Sequence, residues 1–214
     1  MTRLVSHDQI IKASNQIYDE SARRKTGSSA VMWDDQQKQY LRFAEIIKYL
    51  DLENSNKTIL DVGCGNGELY KFLNFMGFRG QYLGYDINTP LLKLARSRFP
   101  QIKVERKDIL KDKVSKRFDY VVMSGLFNLN AGQTETWIYN FLKKMFMLSK
   151  EAVVFNAIST QVNYKSEEIF YLDPAKIFSF CTQHLSPRVV LAHHQLPYNY
   201  TMAVYKINHW SSIA

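Results

Sequence analysis

Cysteine and long apolar runs are both scarce in this chain of 214 residues. Cysteine stands only at positions 64 and 181, which excludes a disulfide framework and a cysteine metal cluster. No stretch approaches 18 consecutive apolar residues, so no spanning helix is expected. The opening Met1-Thr-Arg-Leu-Val-Ser-His-Asp8 lacks the apolar core of a signal peptide. These absences predict a soluble, cytoplasmic protein with no membrane partner. What is present is ordinary globular usage, with 46% apolar and 22% charged residues, which argues against a disordered chain. The length suits one domain over 1–214, large enough to bury a core without metal or disulfide staples.

The formal net charge is +8, and most of it sits in one place. Residues 93–117 hold ten lysines and arginines against three acids, leaving the rest of the chain nearly neutral. Such a window could attract nucleic acid or an anionic substrate. It could equally be a solvated helix face followed by a charged loop.

From residue 57 the pattern alternates between strand and helix. Residues 57–62, 81–86, 102–106, 118–123 and 151–157 read as short buried strands. Amphipathic helices are expected from the glycine loop to about Met76, over 90–98 and over 134–148. Strands separated by single helices imply βαβ units and a parallel sheet. A helix over 174–182 with Asp173 as N-cap follows, then β-rich runs at 188–196 and 200–207. The gap between those runs is too short for a helical crossover, so they must form an antiparallel hairpin. About 55 residues of helical character precede the first strand, including 36–50. One domain with an N-terminal helical extension (1–55) on an α/β core (56–214) is the expectation.

The strongest signal is Ile59-Leu-Asp-Val-Gly-Cys-Gly-Asn-Gly67, a buried strand running through three glycines into a helix. Missing β-carbons permit a sharp turn and a close backbone approach to a ligand. A loop at the carboxyl end of the first strand of a doubly wound sheet is where nucleotides bind. The dehydrogenase fingerprint would place its third glycine at 68, where this chain has Glu, a poor neighbour for a pyrophosphate. The loop therefore favours a ligand without phosphates. Asp86 ends the second strand 19 residues beyond Gly67, where an acid can accept both ribose hydroxyls. Asp108 follows the third strand, positioned to accept an adenine amine. Either acid alone would read as a turn residue, but their coincidence at successive strand ends favours an adenosine site.

These residues resemble the class I S-adenosylmethionine-dependent methyltransferases, over roughly 57–207. The carriers are the glycine loop, Asp86, the Asp108 motif, Phe118-Asp-Tyr-Val-Val122 and the terminal hairpin. The finer pattern is similar to a poorly characterised bacterial branch, through residues 39–43, Ser124-Gly-Leu-Phe-Asn-Leu129, Phe155-Asn-Ala-Ile-Ser159 and Tyr171-Leu-Asp-Pro174. The resemblance implies a doubly wound seven-stranded sheet of order 3-2-1-4-5-7-6, with strand 7 antiparallel. It also implies S-adenosyl-L-methionine as cofactor and S-adenosyl-L-homocysteine as product. The residues expected to hold it are Asp61, Gly63, Cys64, Gly65, Asn66 and Gly67, then Asp86 with Ile87, Asp108 with Ile109, and Ser124. No metal is implied.

For the chemistry, Asn128 and Asn156 are candidate orienting groups after the fourth and fifth strands. His193 and His194 are placed in the sixth strand on opposite faces, with His194 a weak candidate base. Tyr198 and Tyr200 are candidates to frame the acceptor. The N-terminal extension is expected to form a lid, with Arg23, Trp33, Gln39 and Arg42 its notable residues, and Arg42 expected to pair with the cofactor's carboxylate. The favoured function is methyl transfer to O, N or C of a small-molecule acceptor. An RNA methyltransferase using window 93–117 is the main rival, although the Pro-Pro-aromatic clamp of base-amine methylation is absent after Ser124. A nucleotide-dependent dehydrogenase and a non-catalytic cofactor-binding protein are the remaining classes. Oligomeric state is not legible.

Overall fold

The computed structural model describes residues 5–24 and 35–207. Seven strands form a single sheet in the order β3-β2-β1-β4-β5-β7-β6. They are β1 (Thr58–Val62), β2 (Gln81–Asp86), β3 (Val104–Arg106), β4 (Phe118–Met123), β5 (Ser149–Ile158), β6 (Val189–Ala192) and β7 (Asn199–Tyr205). The first five pair in parallel, whereas β7 runs antiparallel to both β5 and β6. This is the order and strand direction that the resemblance implied.

Alternation along the central strands divides the core into two layers. Ile59, Tyr120 and Val122 face α2 (Gln36–Ile47), α3 (Glu68–Phe75) and α4 (Thr89–Arg98). Leu60, Val62, Val121 and Met123 face α5 (Glu135–Leu148) and α6 (Pro174–His184). A slip of one residue in β1 would send Asp61 into the α5 layer, so burial on both faces fixes the register.

Local chemistry sets the helix starts. Asp35, Asn88, Thr134 and Asp173 each accept backbone N–H bonds as N-caps of α2, α4, α5 and α6. Helix α3 has no side-chain cap and begins directly from Gly67 at φ +85°. No helix lies between β3 and β4; the 107–117 segment crosses there, with Leu110 and Val114 packed against the core. Ahead of α2, helix α1 (His7–Arg24) packs against α4. Among the described residues no helix is long and apolar enough to cross a membrane.

The sixth strand differs from the expected 188–196 run: it ends at Ala192, and His193 and His194 lie in the connection to β7. The last β6–β7 pair is Ala192 with Thr201, and Pro197, which lacks a backbone N–H, and Tyr198, at φ +65°, lie in the connection beyond it.

Candidate functional site

The glycine loop, the ends of β2 and β3, and the loop after β4 open into one cavity of about 240 Å³. Its shape begins with the glycines. Gly63, Gly65 and Gly67 all have positive φ. A β-carbon on Gly63 would lie 2.6 Å from Leu126 Cδ1, so the loop after β4 packs directly on that bare position. Cys64 lines the cavity, but a β-carbon on Gly84 would meet its Sγ at 2.6 Å, which places the thiol hard against β2. Glu68, at the start of α3, is buried and ion-paired with Arg98 Nη2 at 2.5 Å. This ion pair therefore stands where a pyrophosphate-binding loop would place its third glycine.

Asp86 faces the cavity and is held by backbone. Gly65 N–H donates to its Oδ2 and Asn88 N–H to its Oδ1, both at 2.8 Å. Burial raises its pKa, and the N–H donors of Asn88, Gly65 and Ile87 oppose that rise. Asp61 sits beside it, 2% exposed, accepting the Tyr82 hydroxyl at 2.7 Å. Burial pushes the Asp61 carboxyl up to about 7, opposed by the Tyr82 hydrogen bond and reinforced by the Asp86 charge. Asn66, Ile87 and Ile109 also line the cavity.

Asp108 lines it too, with a partner that sequence reasoning did not find. His7 Nε2 lies 2.6 Å from Asp108 Oδ2, and Trp137 Nε1–H donates to His7 Nδ1 at 2.9 Å. Indole nitrogen is a donor only, so Nδ1 must be bare and Nε2 carries the proton toward Asp108. Helix α1 thus lies over the cavity, pinned at one end by His7. Farther along, Asn88 Nδ2 donates to Asn15 Oδ1 and Asp19 Oδ1, at 3.2 and 2.7 Å. Ile10, Ile11, Ser14, Asn15 and Tyr18 form the underside of α1. The helical spacing of His7, Ile11, Ser14 and Tyr18 was the available signal for this face.

Three amides shape the loop after β4. Asn156 is a support outside the cavity: its Oδ1 accepts Gly125 N–H at 3.0 Å and its Nδ2 donates to Ser124 Oγ at 2.9 Å. Gln133 donates to the carbonyls of Phe127 and Leu129 and accepts Ala131 N–H. Asn128 lines the cavity, and its buried Oδ1 has no partner among the described residues.

Several expected residues lie elsewhere. Arg42 does not line the cavity; it is buried beside a minor pocket with Glu45, Asn156 and Tyr200. Its helix does contribute, through Gln39 and Phe43, which stand one turn apart and are out of phase with Arg42. His194 is a correction: its side chain is 67% exposed, near Glu45, and away from the cavity. His193 stacks on Tyr200, and neither Tyr198 nor Tyr200 borders the main cavity. Trp33 lies outside the described residues, as does the side chain of Arg23. In the basic window, Arg96 donates to Val104 O, Arg98 pairs with Glu68, Lys111 pairs with Asp8 and Lys116 covers the Phe118 ring. Four of the ten cations of the window thus have partners within the described residues.

Set against known proteins, residues 53–190 match the family described as Methyltransferase domain. That match spans well over half of the chain, and the chain belongs to this family. Among curated relatives, a Mycobacterium tuberculosis protein named as a methyltransferase of unproven activity is 28% identical over 155 residues, covering 70% of this chain and 93% of that protein. Magnesium protoporphyrin IX methyltransferase from Synechocystis, crystallised with S-adenosylhomocysteine, superposes with a TM-score of 0.70 at 13% identity, covering 94% of this chain and all of that one. Human N-acetylserotonin methyltransferase with S-adenosylmethionine gives 0.69 at 13% identity, covering 94% of this chain and 60% of that one. At such identities the two structures share the fold with this chain.

Proposed function

We propose that the protein transfers a methyl group from S-adenosyl-L-methionine to a small-molecule acceptor, releasing S-adenosyl-L-homocysteine. The observation that carries this reading is the convergence of the bare glycine loop, Asp61, Asp86 and Asp108 on one cavity. The residues fit the group. Side-chain-free backbone admits its sugar and sulfur, and carboxylates outnumber cations around a ligand that is itself cationic. Buried Gln39, whose Oε1 has no partner among the described residues, stands free to meet the amino-acid end.

In this assignment Asp86 accepts the ribose hydroxyls. Asp61 accepts the ammonium group, and its carboxyl at about 7 gives up its proton as that cation arrives. Asp108, oriented by His7, receives the adenine amine on a lone pair that His7 leaves open, with Ile87 and Ile109 against the ring. Ser124 and the loop held by Asn156 border the reacting end. Helix α1 acts as the lid that excludes water. The bound sulfonium supplies an already electrophilic methyl group, so the chain's task is alignment, which can contribute roughly 7–11 kcal/mol.

Calorimetry tests the reading. S-adenosylmethionine is expected to bind and NAD to give no heat; the reverse result would end it. RNA that binds with a steep salt dependence and is methylated would transfer the function to the rival substrate class.

A further inference from the structure

The cavity is chemically divided. Its ionisable lining residues (Tyr18, Asp61, Cys64, Glu68, Tyr85, Asp86, Lys107 and Asp108) all precede residue 110. The ten lining residues contributed by β4, β5 and the segments that follow them, from Ser124 to Ile169, include no acid, imidazole, amine, guanidinium, thiol or phenol. This half is walled by Leu126, Leu129, Trp137, Phe141, Ile158 and Ile169. Backbone pairing of Leu129 with Ile169, and Phe170 N–H to Asn128 O at 2.8 Å, hold the wall together. Gln133 within it and Asn156 behind it are engaged with the loop, whereas the Asn128 carboxamide makes no hydrogen bond among the described residues.

On the reading above, we infer that the acceptor is an uncharged amine on an apolar frame, recognised through its N–H by the carboxamide of Asn128. A carboxylate, phosphate or phenolate would find no cationic side chain among the described lining residues of this half, only the sulfonium itself, and would lie beside Asp61, Asp86 and Asp108. An alcohol or a carbon acid must lose a proton as it reacts, and none of the described lining residues of this half is a base. A neutral amine needs neither. Its nitrogen lone pair forms the new N–C bond as the methyl–sulfur bond breaks and that bond's electron pair stays on sulfur. The positive charge passes to the methylated nitrogen, which then releases its N–H proton to water. Asn128 aims the lone pair by accepting the N–H.

The full-length protein, first shown to bind S-adenosylmethionine, is offered aryl- and alkylamines, phenols, carboxylic acids and phosphate monoesters of similar size, and S-adenosylhomocysteine release is followed. Amines should turn over best, with kcat/KM rising to a plateau at the pKa of each amine rather than at one pH common to all. By calorimetry the same amines should bind the S-adenosylhomocysteine-loaded protein and the acids should not. Asn128→Ala should weaken amine binding and kcat/KM about tenfold while cofactor affinity and thermal midpoint stay within error. Preferred turnover of acids, phosphates or phenols overturns the inference, as does turnover of no class by a protein that binds cofactor. So does an Asn128→Ala variant that handles amines normally. Failure to bind S-adenosylmethionine at the outset instead removes the underlying reading of the cavity.

Discussion

The two halves of the cavity solve opposite problems with the same sheet. Around β1, β2 and β3, carboxylates stand at strand ends and are fixed by backbone N–H groups, as Asp86 is by Gly65 and Asn88. Around β4 and β5, the polar side chains are the Ser124 hydroxyl and three amides, and two of the amides are engaged in holding their own loop. One half is built to receive positive charge and hydroxyl groups. The other is built to hold shape without charge. On the proposed function, the contrast teaches that the half assigned to the cofactor is specified by side chains that ionise, whereas the half assigned to the acceptor is specified by described lining residues that do not.

Breaking the charged half should have the largest effect. Asp86→Ala is expected to lower S-adenosylmethionine affinity at least 100-fold, the scale of about 3 kcal/mol for losing buried charge-assisted bonds; calorimetry and circular dichroism together would show lost binding in a folded protein. Next comes the junction between the halves. Gly63→Ala combines φ +76° with a 2.6 Å contact to Leu126, so it should destabilise by about 2 kcal/mol and weaken binding. Thermal denaturation with and without ligand would register both.

Asp61 sharpens the comparison through pH. Its carboxyl is held near 7 in the free protein, so a cation that requires the carboxylate should bind about tenfold more tightly at pH 8 than at pH 6, with proton release near neutrality. For the unliganded fold the sign is reversed. A raised acid binds its proton more tightly when folded, so this stability is complete below 3.8 and is lost as pH rises through about 7. Asp61→Asn should flatten both dependences and raise the unliganded thermal midpoint at pH 8. The smallest effect is expected outside both halves: His194→Ala, at a position 67% exposed, should leave turnover and the thermal midpoint unchanged. A substantial loss of turnover there would show that the two-part cavity is an incomplete description of the site.

Much of the fold was legible because buried parallel strands are short apolar runs with sharp ends. β2 and β4 fall on the expected 81–86 and 118–123. The glycine loop and Asp86 were legible for the same reason, since a strand end fixes where the next residues point. Arg42 and His194 were misplaced for a different one. On an amphipathic helix a one-residue phase error moves a side chain by about 100°, and here the cavity takes Gln39 and Phe43 instead. The histidines follow a strand whose pairing with β7 ends at Ala192, earlier than the β-rich composition of 188–196 suggests. His7 escaped notice because its partners, Asp108 and Trp137, lie 101 and 130 residues away.

By itself the sequence determined the strand order's raw material: where backbone must turn sharply, which acid follows each strand, and which final pair must be antiparallel. These are local consequences of β-carbon sterics, side-chain alternation and connection length. Only the tertiary structure decided which amides are engaged and which face the cavity, that α1 covers it, and that the described lining residues of the half bordered by β4 and β5 carry no charge. Those properties depend on contacts between segments far apart in the chain, and a linear pattern of residue types does not encode the packing that brings them together.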